Sequence, residues 1–407
     1  MVINVPTLTD QIIQGERENI VQTYKRPPFV LVHGEGVTLY DSEGSAYTDW
    51  VAGIAVNALG YSDKGIENAL IRQLAHGMIH VSNLYHTAPH VELAALLTDS
   101  SFADKVFFCN SGAEANEGAV KFARKFHYVN GDTHKTEIIS LTGSFHGRTM
   151  GALALTPKEK YQKPFKPLMP GAVVAEFNNI DSVREAITEN IAAIIVEPIQ
   201  GEGGINIAAG DFLRGLRDLC DEHGILLIFD EIQCGVGRSG TLWSHEPSGV
   251  TPDIMTTAKP LAGGLPIGAI MVTDAVADAL QPGDHGSTFA GGLIVTGAAK
   301  EVIKRINTPT FLAHINAMGD YLAQKLDSLD SPLIKERRGR GLMQAIELTI
   351  EAAPVIEAGY EHGLLLVNAG THVIRFVPPL IIEHIHVDQL IEKLQVILAA
   401  TETRAEH

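Results

Sequence analysis

Two charged residues interrupt stretches that are otherwise apolar. Asp230 closes the run "ILLIFD" and opens "DEIQCGVGRSG"; Lys259 separates "IMTTA" from "PLAGGLPIGAIM". Taken alone, each has an ordinary explanation, Asp230 as a helix cap or salt-bridge partner and Lys259 as a solvated surface charge. Their neighbours point further. A carboxylate at the end of a buried run needs a cation or strong hydrogen-bond donors. Pro260 disfavours helical geometry at Lys259, and a lysine held in a mostly uncharged setting has a lowered pKa that suits it to imine chemistry. A third feature is "NSGAEANEGAVKFARKF". Small residues there precede a helical stripe of Ala115, Ala119, Phe122 and Phe126, with Ser111 and Glu114 at capping-box spacing. A capped helix accounts for it. So does a helix N-terminus at which Gly112 and Ala113 bare backbone N–H groups to a phosphate.

The elements that must hold these residues follow from the apolar pattern. Runs at "KVFFCN" (105–110), "EIISLT" (137–142), "AAIIVE" (192–197), "ILLIFD" (225–230) and "GAIMVT" (268–273) predict strands buried on both faces. Helical patterns such as "DFLRGLRDLCDEHG" lie between several of them. The alternation predicts an α/β fold with a parallel sheet and crossover helices. Ligands of such sheets bind beyond the carboxyl ends of the strands, and those ends carry Asn110-Ser111-Gly112, Glu197 and Asp230. Near the N-terminus, "GEGVTLYDSEGSAYTDW" predicts a hairpin. Beyond residue 295 come helices in "TGAAKEVIKRI" and "FLAHINAMGDYLAQKLDSL", strands in "RGLMQAIEL" and "HVIRFVPPL", and a last helix over 387–400. The expected organisation is a large domain over 60–295 and a smaller α+β domain built jointly from 1–59 and 296–407.

Composition narrows the function. The chain has 407 residues, 45% apolar and 19% charged, with net charge 31 − 48 = −17. Such an acidic balance argues against sequence-independent nucleic-acid binding. Cys109, Cys220 and Cys234 are few and scattered, which predicts reduced thiols and a cytoplasmic protein. No basic start with an apolar core precedes the first element, and no apolar run reaches the ~20 residues that span a bilayer.

The three features suit one ligand. Pyridoxal 5'-phosphate carries a phosphate that needs N–H donors, a pyridinium nitrogen that needs a carboxylate and an aldehyde that needs a lysine. Asp230 and Lys259 then meet at opposite sides of one cofactor. Two readings compete. "GVGRSG" (235–240) matches the dinucleotide pattern of an NAD-dependent oxidoreductase, but that fingerprint opens a helix, and the following "TLWSHEPSGVTPD" is rich in turn residues. The pairs His76/His80 and His86/His90 have four-residue spacing, which suggests zinc, yet no Cys or Glu completes a ligand pattern; no metal is expected.

The motifs add a second line. "WVAGIAVNALG", "SNLYHTAPHVELA", "NSGAEANE", "SFHGRT", "VEPIQGEGG", "FDEIQCGVGRSG", "AKPLAGGLPIGA", "HGSTF" and "IRFVPPL" resemble, in order and over nearly the whole chain, the class III (ω-amino) pyridoxal-phosphate aminotransferases. The resemblance implies the fold type I architecture and a homodimer with active sites at the subunit interface. It implies that Gly112 and Ala113 bind the phosphate, Phe145 stacks on the pyridine ring, Asp230 pairs with the ring nitrogen and Gln233 lies near the ring hydroxyl. Lys259 would form the imine with the cofactor and then move the proton. Thr288 would reach the phosphate of the neighbouring subunit, with Ser287 near substrate. Arg148 would bind a substrate carboxylate, Arg375 the α-carboxylate of glutamate, and Glu202 would pair with Arg375. Two positions depart from the family pattern: "HGSTF" continues as "AGGLIV" and lacks the usual Asn-Pro, and Pro260 follows the lysine. Both bear on loop geometry and leave every named functional group in place. Intact Lys259, Asp230 and arginines argue against an inactive homologue kept for binding. Within the family, "SNLYHTAPHVELA" and the context of "FHGRT" favour N2-acetylornithine as amine donor and 2-oxoglutarate as acceptor. Enzymes for ornithine, 4-aminobutyrate, succinylornithine and N-succinyldiaminopimelate share the catalytic motifs.

Overall fold

The structure, a computed structural model, describes residues 7–405. After an N-terminal helix, Leu8–Asn19, the chain forms three antiparallel strands, β1 (Leu31–Glu35), β2 (Thr38–Asp41) and β3 (Ala46–Asp49). The predicted hairpin is β2–β3.

The central sheet follows. Its strands are β4 (Lys105–Cys109), β5 (Glu137–Leu141), β6 (Ala172–Ala175) and β7 (Ile191–Val196). After a small hairpin, β8 (Ile199–Gln200) and β9 (Asn206–Ile207), come β10 (Leu226–Asp230), β11 (Ile254–Thr257) and β12 (Gly268–Val272). The order across the sheet is β4-β12-β11-β10-β7-β5-β6. All five predicted runs are strands, and β6 and β11 join them. The sheet is mostly parallel, but β12 runs antiparallel to both β11 and β4. The expected mostly parallel sheet is present, and β12 is its antiparallel member for a steric reason. Only residues 258–267 link β11 to β12, too few for the crossover that a parallel connection needs.

The strands are apolar throughout because both faces are covered. On β10, Leu227 and Phe229 pack with Leu216 and Leu219 of the helix Gly210–His223, while Leu226 and Ile228 pack with Ala115, Ala119 and Phe122 of the helix Gly112–Val129. The first of these helices ends at Gly224, whose φ of 58° is the left-handed turn that closes many helices.

The C-terminal strands are β13 (Ile334–Arg340), β14 (Met343–Leu348), β15 (Leu364–Leu365), β16 (Val367–Asn368) and β17 (Val373–Phe376). β13, β14, β17 and β16 form one sheet, and β15 pairs parallel with β3, so the two ends of the chain share a sheet. The last helix runs His384–Ala405, longer than its apolar pattern predicts.

This topology brings five segments to one edge. Asn110–Ala113 follow β4, Phe145 to Arg148 follow β5, Glu197 follows β7, Asp230 ends β10, and Lys259 follows β11. Phe229 is fully buried beside Asp230. Phe229→Ala should therefore lower unfolding stability by about 3–5 kcal/mol, read as a lower denaturant midpoint; a loss under about 1 kcal/mol would mean that the layer repacks freely.

Candidate active site

Asp230 is 3% exposed. Its Oδ2 accepts from Asn116 Nδ2 and from His146 Nδ1, each at 2.7 Å, and its Oδ1 accepts from the backbone N–H of Ile232 at 3.0 Å. Asn116 is fixed in turn. Its Oδ1 accepts from Thr256 Oγ1 at 2.8 Å, and its Nδ2 also donates to the His146 carbonyl at 2.8 Å. One carboxylate thus ties together β10, β11, the helix Gly112–Val129 and the loop after β5.

Glu197 is a second buried carboxylate. It accepts from the Phe145 N–H at 2.9 Å and the Gly201 N–H at 3.3 Å, clamping the Phe145 loop to the turn that carries Glu202. Loss of solvation pushes its pKa up to about 7; Asp230 adds to the rise and His146 opposes it.

Arg375 on β17 is 1% exposed. Its Nη1 donates to Glu202 Oε1 at 2.7 Å and to Gln233 Oε1 at 2.9 Å. Burial alone would raise the Glu202 carboxyl, but Arg375 and Lys259 outweigh burial and hold it below its ordinary range.

Lys259 sits in the turn after β11, and among the described residues its Nζ has no hydrogen bond or ion pair. Loss of solvation, with the Arg375 charge adding, lowers its pKa to about 8 against the pull of Glu202, Glu197 and Asp230. Gly112 abuts the Asp230–Gln233 turn so closely that a Cβ there would lie 2.7 Å from Ile232 Cγ2. A side chain would push the helix away. Gly147 fits as tightly against Ala113, where its Cβ would come within 2.9 Å of the alanine methyl. The backbone N–H groups of Gly112 and Ala113 have no acceptor among the described residues, as expected of a first helical turn.

The remaining expected residues lie around this centre. Phe145 is half-buried. Arg148 is exposed at the rim, its guanidinium 3.5 Å from the centre of the Tyr161 ring and 5.7 Å from that of Phe145. Ser287 Oγ accepts from Asn110 Nδ2 at 2.9 Å. Thr288 and Phe289 are exposed. A cavity of about 960 Å³ opens beside the site and is lined by Ile54, Lys158, Tyr161, Glu202 and Arg375, among others.

Asn116, His146, Lys158 and Tyr161 have no expected role in the sequence. Asn116 carried a usable signal, a polar residue on the same buried helix face as Ala115 and Ala119. Residues 235–240 form turns, without the helix that a dinucleotide fingerprint requires.

Residues 20–398 match the family model for aminotransferase class-III. The chain belongs to the class-III aminotransferases. Relatives of this class-III aminotransferase include the mitochondrial acetylornithine aminotransferase of Alnus glutinosa, 50% identical over 96% of this chain and 87% of the relative. The acetylornithine aminotransferase of Methanocaldococcus jannaschii is 46% identical over 94% of this chain and 96% of the relative. Among solved structures, an ornithine aminotransferase from Toxoplasma gondii, with pyridoxal phosphate at partial occupancy in its active site, superposes with a TM-score of 0.94 at 30% identity, covering 99% of this chain and 97% of that one.

The lowered pKa of Lys259 has a direct consequence. The side chain is charged below about pH 8 and neutral above it. Acetylation of Lys259 in cofactor-free protein, followed by peptide mass spectrometry, should rise with a midpoint near pH 8, whereas surface lysines should still be gaining reactivity near pH 10, roughly their unperturbed pKa. A midpoint above about 10 would mean that burial does not hold this amine neutral.

Proposed function

We propose that this class-III aminotransferase moves the δ-amino group of N2-acetylornithine to 2-oxoglutarate, giving N-acetylglutamate 5-semialdehyde and glutamate, with pyridoxal 5'-phosphate as cofactor. The substrate assignment is carried by the relatives named acetylornithine aminotransferase, which are 50% and 46% identical over nearly the whole chain.

The residues fit the cofactor. Gly112 and Ala113 offer two N–H groups at a helix N-terminus without an acceptor among the described residues, which suits a phosphate. The Asp230 carboxylate accepts three hydrogen bonds and keeps acceptor capacity for a ring N–H. Lys259 is a weakly basic amine without a partner among the described residues. When bound, the cofactor supplies an electron sink for negative charge at the amine-bearing carbon.

This chain's residues do the rest. With the cofactor bound, Asp230 would keep the ring nitrogen protonated, Phe145 would stack on the ring and Gln233 would lie near its hydroxyl. Nζ of Lys259 would take the proton from the substrate's amine-bearing carbon and hand it on to C4′ of the cofactor, work that suits an amine with a pKa near the operating pH. Arg148, exposed at the rim against the Tyr161 ring, binds the carboxylate far from that carbon. Arg375 binds the carboxylate next to it in glutamate and 2-oxoglutarate. N2-acetylornithine has none there, so Glu202 pairs with Arg375 in that half-reaction and releases it in the other. Exposed Thr288, with Ser287, serves the cofactor phosphate and substrate of a second copy. The working unit would then be a homodimer, and the three free, buried cysteines suit a reducing compartment such as the cytoplasm.

Two experiments test this reading. With 2-oxoglutarate as acceptor, N2-acetylornithine should outrank ornithine, 4-aminobutyrate, succinylornithine and N-succinyldiaminopimelate in kcat/KM; a preference of tenfold or so for another donor would reassign the substrate. Glu202→Ala should slow the acetylornithine half-reaction by roughly tenfold or more, since a buried arginine loses its counter-ion, and spare the glutamate one. Single-turnover cofactor spectra read both, and equal slowing would remove the exchange.

A further inference from the structure

We infer that Lys158 is the cation that receives the Glu202 carboxylate when a substrate carboxylate takes Arg375. The inference rests on the exchange proposed above and supplies the partner that it lacks.

Lys158 Nζ donates to the main-chain carbonyl of Glu202 at 2.8 Å. The residue is half-buried and lines the same cavity as Glu202 and Arg375. Among the described residues no carboxylate lies within ion-pair distance of it. Loss of solvation lowers its pKa; of the charges around it Glu202 acts most strongly, then Glu197, both opposing the fall, while Arg375 and Arg148 add to it. A half-buried ammonium whose hydrogen-bond partner is a carbonyl is costly unless an anion can reach it.

The position of Nζ, at the carbonyl of Glu202 itself, lets a rotation of the Glu202 side chain meet it without main-chain movement. Nη1 of Arg375 is committed to Glu202 and Gln233, so a substrate carboxylate that takes this nitrogen displaces Glu202. Once a dicarboxylate occupies Arg375, Glu202 is an unpaired charge beside a second carboxylate. Lys158 removes that penalty. Its four flexible methylenes suit a partner that comes and goes better than a rigid fork does. Lys158 is therefore a positioning residue for one of the two substrates.

The test uses non-reacting ligands and calorimetry on the holoenzyme. Glutarate presents a carboxylate to Arg375; N-acetylnorvaline has only the carboxylate far from the reacting carbon. Lys158→Met should weaken glutarate about tenfold, the scale of a lost charge pair in a partly desolvated site, and leave N-acetylnorvaline within about twofold. Lys158→Gln, which keeps a donor for the Glu202 carbonyl, should behave alike and separate lost charge from lost fold. Lys158→Arg should restore most of the affinity. In a Glu202→Gln background Lys158→Met should cost nothing further. Equal weakening of both ligands, or full weakening in that background, would mean that Lys158 holds the distant carboxylate directly, and the inference falls. It also falls if the wild type does not bind glutarate. Failure of the wild type to bind N-acetylnorvaline would instead overturn the acetylornithine assignment, and the glutarate series would still decide the role of Lys158.

Discussion

A carboxylate shut away from water at the end of β10 governs the arrangement around it. Burying Asp230 without partners would cost several kcal/mol, comparable to the whole stability margin of a domain. The three donors that offset this come from the helix Gly112–Val129, from the loop after β5 and from the turn that follows Asp230 itself. They are oriented in turn by Thr256 and by Thr156, whose Oγ1 accepts from the His146 N–H at 2.9 Å. The network leaves each segment little freedom to shift. The helix N-terminus at Gly112 and the ring of Phe145 are positioned by the same hydrogen bonds that make Asp230 tolerable.

The second constraint is charge. The chain carries a net −17, yet its proposed substrates are anions. Repulsion from the surface is screened over about 8 Å at physiological salt, so groups within the cavity decide. There Lys158 and Arg375 line the wall, with Arg148 and Lys259 close enough to perturb their neighbours. Lys158, Arg375, Arg148 and Lys259 would repel one another, and Glu202, Glu197 and Asp230 are interleaved among them. The low pKa of Lys259 comes from burial and from Arg375, so the carboxylates limit the shift.

The centre of this site was legible because Asp230 and Lys259 are charges set in apolar sequence, which needs a reason. The five apolar runs read as strands are strands because both faces of the sheet are covered. β6 and β11 have four residues each, too short to stand out by periodicity, and the direction of β12 is a property of loop length. The capping spacing at Ser111 held for one bond: its Oγ accepts from the Glu114 N–H, while the Glu114 carboxylate reaches the Asn110 N–H at 2.6 Å. What could not be read was pairing across the chain. Asn116 and Asp230 are 114 residues apart, and Lys158 and Glu202 are 44 apart. No local pattern joins such partners; only the fold does.

One wall of the cavity is held in a conformation that residues with a Cβ rarely adopt. Ala52, Gly53, Ile54 and Ala55 have φ of 50°, 66°, 67° and 64°. For a β-branched residue such as Ile54 this is a true outlier, costing on the order of 1–3 kcal/mol, and it persists only where the surroundings over-determine it. Here they do. Asp49 Oδ1 accepts from the Val51 and Ala52 N–H groups at 2.8 and 2.9 Å, and the Val377 N–H donates to the Trp50 carbonyl at 2.9 Å. Val377 directly follows β17, which carries Arg375, so the strained segment is tied to the end of that strand. Both sides of the cavity are then rigid. Glu202, whose side chain is 24% exposed and sits on a short hairpin turn, has room to move where Arg375 does not, and so the change of partner proposed above falls to the carboxylate.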